Sequence, residues 1–166
     1  MYKGGVRVAI LKNNKLLLVK QRHEGRDIWM LPGGGIEEGE TSVEAAEREV
    51  FEETGLQVKV KDLLWFIEEL REEKNAKNDV ECVENKEQRF VIFYRAEFVS
   101  GKLGLGKDPE FDESNQVLSE VAFFSRDEIE NDKIIENIYP NFIRDEMWCL
   151  LSNDNKYNPY KERKRK

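Results

Sequence analysis

The sequence predicts an α/β fold, and three observations carry that prediction. Short runs rich in β-branched and aromatic residues recur along the chain, at 6–11, 16–19, 28–31, 90–99 and 117–124. One helix is bounded at both ends, after a triple-glycine segment and before Gly55. No internal repeat and no linker-like segment divides the chain, so a single domain over residues 1–157, followed by a basic, disordered tail over 158–166, accounts for its 166 residues.

Val6-Arg7-Val8-Ala9-Ile10-Leu11 reads as a first strand, Asn13-Asn14 as a turn and Leu16-Leu17-Leu18-Val19 as a second strand. Ile28-Trp29-Met30-Leu31 is a third, stopped by Pro32. Gly33-Gly34-Gly35 cannot be a packed element and forms a loop where the backbone comes close to something else. Thr41 begins a helix, with Glu44 three residues on in capping-box spacing, and Thr54-Gly55 ends it. Gln57 to Leu70 alternates in part and reads as a strand or hairpin arm. The Glu-, Lys- and Asn-rich stretch 71–86 reads as a solvated loop. Phe90 to Val99 is a strong strand, an acidic loop follows to Asn115, and Val117 to Phe124 is the last strand. Ser125 caps a short helix, and a longer terminal helix is expected from Pro140 to Leu151. The tail from Lys161 to Lys166 carries no core residue and reads as a frayed end.

Composition narrows the function. Hydrophobic residues make up 39% and charged residues 37%, a polar but globular balance that can bury a core without staples. No run approaches the roughly 18 apolar residues of a membrane span, and the N-terminus lacks a signal peptide's apolar centre. Cys82 and Cys149 lie far apart without partners at metal spacing, which reads as two buried thiols in a cytoplasmic protein. The net charge of −7 argues against a whole-surface nucleic-acid binder. The one histidine, His23, falls in a polar turn and excludes mechanisms that need two histidines, His-rich zinc sites included.

The helix carries the chemistry. Residues advance about 100° apiece, so Glu49, Glu52 and Glu53 fall on one face. Ala45 lies on that face and leaves room beside it, while Val43, Ala46, Val50 and Thr54 form an adjacent stripe that packs on a sheet. The like-charged pairs 49/52 and 49/53 each cost roughly 0.2–0.5 kcal/mol in an isolated helix, so helix formation does not ask for them. A solvated acidic face is the plain alternative in a chain with 34 acidic residues. Two neighbours argue for more: the glycine loop lets backbone and carboxylates converge, and Arg48 sits four residues before Glu52. A hard divalent cation would turn the repulsion into a gain, and oxygen-only ligands favour Mg²⁺, Mn²⁺ or Ca²⁺ over zinc or copper.

From Gly34 the chain runs five residues to Glu40, seven to Arg48-Glu49-Val50, one to Glu52-Glu53 and one to Gly55-Leu56. This resembles the Nudix box, G-x5-E-x7-R-E-U-x-E-E-x-G-U with U aliphatic, at every specified position. Trp29-Met30-Leu31-Pro32-Gly33-Gly34 resembles its usual lead-in. The resemblance implies an α/β/α sandwich with a mixed β-sheet flanked by helices. It implies a hydrolase that splits a phosphoanhydride bond in a nucleoside diphosphate-linked substrate. On that resemblance Glu49, Glu52 and Glu53 bind catalytic Mg²⁺ (Mn²⁺ as substitute), near a carbonyl of the glycine loop. Glu52, Glu53 and Arg48 act in catalysis, Arg48 by holding the carboxylates. Gly34, Glu40 and Gly55 shape the box, Glu40 anchoring loop to helix and Gly55 ending it.

Members of the family often recruit a further acid from a loop outside the box. Glu97 and Glu120 compete for that role, and Glu113 or Glu110 in the acidic loop is preferred because such loops carry functional groups. Trp29, Trp65 and Phe90 read as core or near-core side chains, so no stacking residue for a base is assigned. Nucleoside triphosphates are the first expectation, with ADP-ribose or a dinucleoside polyphosphate as the alternative. A domain that senses nucleotides without turnover is the non-enzymatic reading. The expected partner is a small nucleotide. The sequence points to no membrane, carries no strong nucleic-acid signal, and leaves the oligomeric state open.

Overall fold

The strand Lys3–Lys12 (β1) organises the molecule, because both of its edges are used. The computed structural model describes residues 3–23, 25–72, 86–106, 117–131, 137–148 and 160–165. On one edge β1 runs parallel to Lys86–Gly101 (β5), from Lys3↔Arg89 to Ile10↔Ala96. On the other it meets Lys15–His23 (β2) at Leu11↔Leu16 and Lys12↔Lys15, around the tight turn where Asn13 and Asn14 take φ of 51° and 58°. Beyond that turn β2 diverges, and the glycine loop takes its place: Val8 N–H donates to the Pro32 carbonyl and Val6 N–H to the Gly34 carbonyl, both at 2.9 Å. Ile36 N–H closes the ladder on the Gly4 carbonyl at 3.1 Å.

The remaining strands extend this frame. Arg26–Met30 (β3) and Leu118–Ser125 (β6) pair antiparallel with β2. Leu56–Glu72 (β4) runs antiparallel to β5 from Leu56↔Gly101 to Glu72↔Lys86. Tyr160–Arg165 (β7) lies parallel to the outer edge of β4. The order β3-β2-β1-β5-β4-β7, with β6 on β2, is a mixed sheet. Because side chains alternate across a strand, β1 feeds two cores. Val6, Val8 and Ile10 pack with Ala45, Ala46 and Val50 of the helix Ser42–Thr54 (α1). On the opposite face Ala9, Trp65, Ile67 and Phe93 pack with Ile129 of Arg126–Asn131 (α2) and Ile143 of Phe142–Asp145 (α3). Helices therefore cover both faces of the mixed sheet, the expected α/β/α sandwich.

The strand expected over 57–70 is part of β4, whose register against β5 shifts at three irregularities. Three readings of the sequence change. Ala45 is fully buried in the core and leaves no open room on its face, because α1 presents a broader stripe to the sheet than the sequence pattern marks. The helix expected from Pro140 starts at Phe142 (α3) and is interrupted at Glu146 before Met147 and Trp148, which are again helical; its expected end, 149–151, lies outside the described residues, as does Cys149. The tail read as disordered forms β7 over Tyr160–Arg165, and β6 is not the last strand. An edge strand is held by backbone hydrogen bonds, which composition does not weigh. The stretch 73–85 lies outside the described residues, as does Cys82. Among the described residues no helix is long and apolar enough to cross a membrane.

The start of α1 carries the capping box that the sequence spacing predicts: Glu44 N–H donates to Thr41 Oγ1 at 3.2 Å and Thr41 N–H to Glu44 Oε2 at 2.8 Å. Thr41→Ala should therefore lower stability by about 1 kcal/mol. The check is a lower urea midpoint at unchanged slope, with Thr41→Ser close to the parent.

Candidate active site

Arg48 is the hub of the carboxylate cluster. Its Nε and Nη2 donate in a fork to Glu40, at 3.1 and 2.7 Å. Its Nη1 donates to Glu49 Oε1 at 3.0 Å and Glu52 Oε2 at 2.9 Å, and its Nη2 also reaches the Gly35 carbonyl at 3.0 Å. One guanidinium thus joins the two helix acids, the acid before the helix and the glycine loop. The hydrogen bond to Glu40, opposed by partial burial, raises the Arg48 pKa further above its ordinary value. The same bond holds the Glu40 carboxyl below the usual carboxylate range. Burial pushes Glu49 the other way, up to about 7, although Arg48 pulls it down.

The loop meets the helix at Gly34. A Cβ built there would lie 2.5 Å from Glu49 Oε1, so a side chain at this position would displace the carboxylate. Gly33, at φ +141°, would drive a Cβ into the Val6 carbonyl. Glu53 points inward. It is 3% exposed and accepts from Gly33 N–H at 2.8 Å and from Gln21 Nε2 at 3.0 Å. Glu49 and Glu52 thus gather on Arg48 while Glu53 clamps the loop, and among the described residues no three acidic, histidine or cysteine side chains converge on one point. Gly55 adopts φ of 70° and caps the helix on the Phe51 carbonyl. Gly104 and Gly106 N–H cover the next carbonyls, those of Thr54 and Glu53.

Three contributors were not singled out from the sequence. Arg7 donates through Nη1 to the Leu31 carbonyl at 3.1 Å and the Gly33 carbonyl at 2.5 Å, which fixes the loop from the sheet side. Burial lowers its pKa, against the attraction of Glu53. Its signal was a lone cation inside an apolar strand run. Gln21 and Arg89 gave no comparable signal in sequence. Of the further acids weighed, Glu97 pairs with Lys61 at 3.2 Å and Glu120 with Lys20 at 2.5 Å, both on exposed strand surface. Glu110 and Glu113 lie outside the described residues. Trp29 and Trp65 are buried, and Phe90 is half-buried and packs on Phe66. Next to Gly34, on the other side of the loop, a cavity of about 80 Å³ is bordered by Arg7, Glu69, Arg89 and Tyr139.

Fold and site together define a hydrolase of acid anhydrides. The chain belongs to the Nudix family: the NUDIX domain model matches residues 1–145. It is 30% identical over 136 residues to an RNA pyrophosphohydrolase of Teredinibacter turnerae, covering 76% of this chain and 80% of the relative. It is 52% identical over 56 residues to an ADP-ribose pyrophosphatase of Methanocaldococcus jannaschii, 33% of each chain. A NUDIX hydrolase from Nitrosomonas europaea shares the fold at a TM-score of 0.64 and 22% identity, over 96% of this chain and 93% of that one. The protein is accordingly a Nudix hydrolase, an enzyme of nucleoside diphosphate-linked substrates.

Arg48→Gln would leave Glu40, Glu49 and Glu52 facing one another without their shared cation. It should cost about 1–3 kcal/mol of stability, read by urea unfolding. Arg48→Lys should recover only part of the loss, because an ammonium cannot make the fork to Glu40.

Proposed function

We propose that this chain hydrolyses a phosphoanhydride bond at a nucleoside 5′-polyphosphate, releasing a monophosphate end and pyrophosphate. The observation that carries the proposal is the pair Glu49 and Glu52, held by Arg48 against the glycine loop. Only hard oxygen donors, carboxylate and carbonyl, are presented there, a donor set that fits Mg²⁺ or Mn²⁺. Glu49, Glu52 and Glu53 are the residues that would hold the cation. When bound, it neutralises the non-bridging phosphate oxygens and lowers the pKa of a water. Arg48 keeps Glu49 and Glu52 aimed at the site, Glu40 holds Arg48, and Glu53 fixes the loop through Gly33 N–H. Gly34 lets the loop lie against Glu49, and Gly55 ends the helix where the segment 102–106 caps it. A further acid, Glu110 or Glu113, completes the reading. Gly106 bonds to the Glu53 carbonyl, so Glu110 follows within a reach of about 14 Å along the chain.

Nucleoside triphosphates remain the first substrates to test, now alongside the 5′-triphosphate end of RNA. The relative named RNA pyrophosphohydrolase, similar over most of both chains, favours a polyphosphate end. The ADP-ribose relative is matched over a third of each chain and weighs less on the substrate pocket. The test is a panel with Mg²⁺: nucleoside triphosphates, 5′-triphosphorylated RNA, ADP-ribose and a dinucleoside polyphosphate, compared by kcat/KM and product identity. Phosphomonoesters should not be cleaved. Tight binding of one member without turnover of any would establish a nucleotide sensor instead.

Two variants check the carboxylate roles. Glu53→Gln should lower kcat at least about a hundredfold, or about 2.7 kcal/mol of barrier. Millimolar Mg²⁺ should raise the melting temperature of the parent, because binding to the folded state stabilises it. The Glu52→Gln/Glu53→Gln double variant should lose most of that rise. An undiminished rise would move the metal site elsewhere.

A further inference from the structure

The cavity beside the glycine loop is walled on one side by the sheet and on the other by the turn before α3. Ile67 and Glu69 on β4 are registered with Val91 and Arg89 on β5, and all four border it. Tyr139 and Pro140 border it from the turn, which Tyr139 N–H ties to the Trp29 carbonyl at 2.9 Å. A Cβ on Gly5 would lie 3.3 Å from the Gly34 carbonyl oxygen and 3.6 Å from Arg89 Nη2, so the Arg89 guanidinium lies beside the loop. The cavity thus begins at Gly34, where the loop also meets Glu49.

Size and charge say what suits it. Its volume is about 80 Å³, whereas a cavity of about 150 Å³ encloses a whole benzene ring. It therefore admits the edge of a flat ring and leaves a sugar and phosphates outside, toward Gly34. Most of its border is apolar, from Met30 and Leu31 to Phe93 and Ile143. A phosphate seated inside would face Glu69, which is 6% exposed, and a cation would face Arg7 and Arg89. A neutral ring with hydrogen-bond donors on one part of its edge and acceptors on the next part meets both charges. Arg7 Nη1 is committed to the Leu31 and Gly33 carbonyls, while Arg89 Nε is buried without a hydrogen-bond partner. Arg89 is thus the cation with a donor to give, and a carboxylate such as Glu69 has about four acceptor positions to share among partners.

We propose that this cavity takes the edge of the substrate's base and selects guanine, with Glu69 accepting from N1–H and the 2-amino group and Arg89 donating to O6 and N7. Guanine places two donors side by side and two acceptors directly after them along one edge. Glu69 and Arg89 are side by side in the same order, as a registered cross-strand pair with Cβ atoms about 4.5–5.5 Å apart. Adenine would turn the N1 lone pair toward the carboxylate and its amino group toward the guanidinium, two mismatches at once. Hypoxanthine keeps N1–H, O6 and N7 and lacks the 2-amino donor. The assignment rests on the reading that the α1 site hydrolyses a 5′-polyphosphate, whose phosphates then lie at Gly34 while the base reaches past the loop.

The experiment titrates the full-length protein with GMP, IMP and AMP by calorimetry, without divalent metal. In the parent, AMP should bind at least about tenfold more weakly than GMP, with IMP between them. Glu69→Gln replaces two acceptors by one acceptor and one donor, the pattern that suits adenine, so it should weaken GMP about tenfold, strengthen AMP and reverse the preference. A carboxylate that only held the fold together would weaken all three alike. Arg89→Gln should weaken GMP and IMP by the same factor, about tenfold, and leave AMP unchanged. If Glu69→Gln does not fold, the parent series and Arg89→Gln carry the test. Equal affinity of the parent for GMP and AMP, or no saturable binding at millimolar GMP, overturns the assignment. In turnover with Mg²⁺, kcat/KM should favour GTP over ATP in the parent and ATP over GTP in Glu69→Gln. If GMP is preferred but no triphosphate is hydrolysed, the base pocket stands and the hydrolytic reading falls. If hydrolysis proceeds with no preference among bases, the pocket alone falls.

Discussion

Acids of like charge on one helix turn repel, and the site depends on how that repulsion is contained. Arg48 contains it by reaching Glu40, Glu49 and Glu52 at once, and by spending its remaining donor on the Gly35 carbonyl. A guanidinium suits this task because its donors are planar, fixed in direction and permanently charged. Glu40 is what makes the hub rigid: it takes two of the donors in a fork, so the group cannot swing toward either helix acid alone. The cluster is therefore a network in which each member constrains the next, and the net contribution of any one pair says little about the whole.

The second constraint is backbone pairing. β2 leaves β1 soon after the turn, which would expose donors and acceptors along residues 4–8 of β1, and the glycine loop answers them as an improvised strand. The loop is thus built into the sheet although its residues could not form a packed element by themselves. Arg7 holds its Leu31 and Gly33 carbonyls from one side, and Glu53 holds Gly33 N–H from the other. Buried between sheet and helix, Glu53 is a clamp on the loop as well as an acid of the box.

The loop also separates two environments. On the helix side lie the acids gathered by Arg48, and on the other side lies the cavity bordered by Arg7 and Arg89. An anionic substrate set across Gly34 would have carboxylates on one flank and guanidinium groups on the other. Such an arrangement suits a group that carries a cation on its acidic flank and its own negative charge on the other. The acidic net charge of the chain is no obstacle, because charge at this site is arranged within a few residues and screened beyond about 10 Å.

What the sequence determined by itself was local: the capping box at Thr41, the stop at Gly55, the apolar stripe of α1 and the spacing of the box acids all depend on residues within a few positions of one another. The strands at 6–11 and 90–99 were legible for the same reason, since alternation and β-branched content are properties of the segment. Tertiary structure decided the rest. Periodicity placed Glu49, Glu52 and Glu53 on one face, but whether each turned toward Arg48 or toward Gly33 depended on a loop docked by β1. Arg7, Gln21 and Arg89 entered because parallel pairing of β1 with β5 and divergence of β2 brought distant residues to one place. The tail was misread for a related reason: an edge strand is recognised by the backbone groups of its neighbour, here β4, and a partner supplied by another part of the chain leaves no mark in the composition of the segment that binds it.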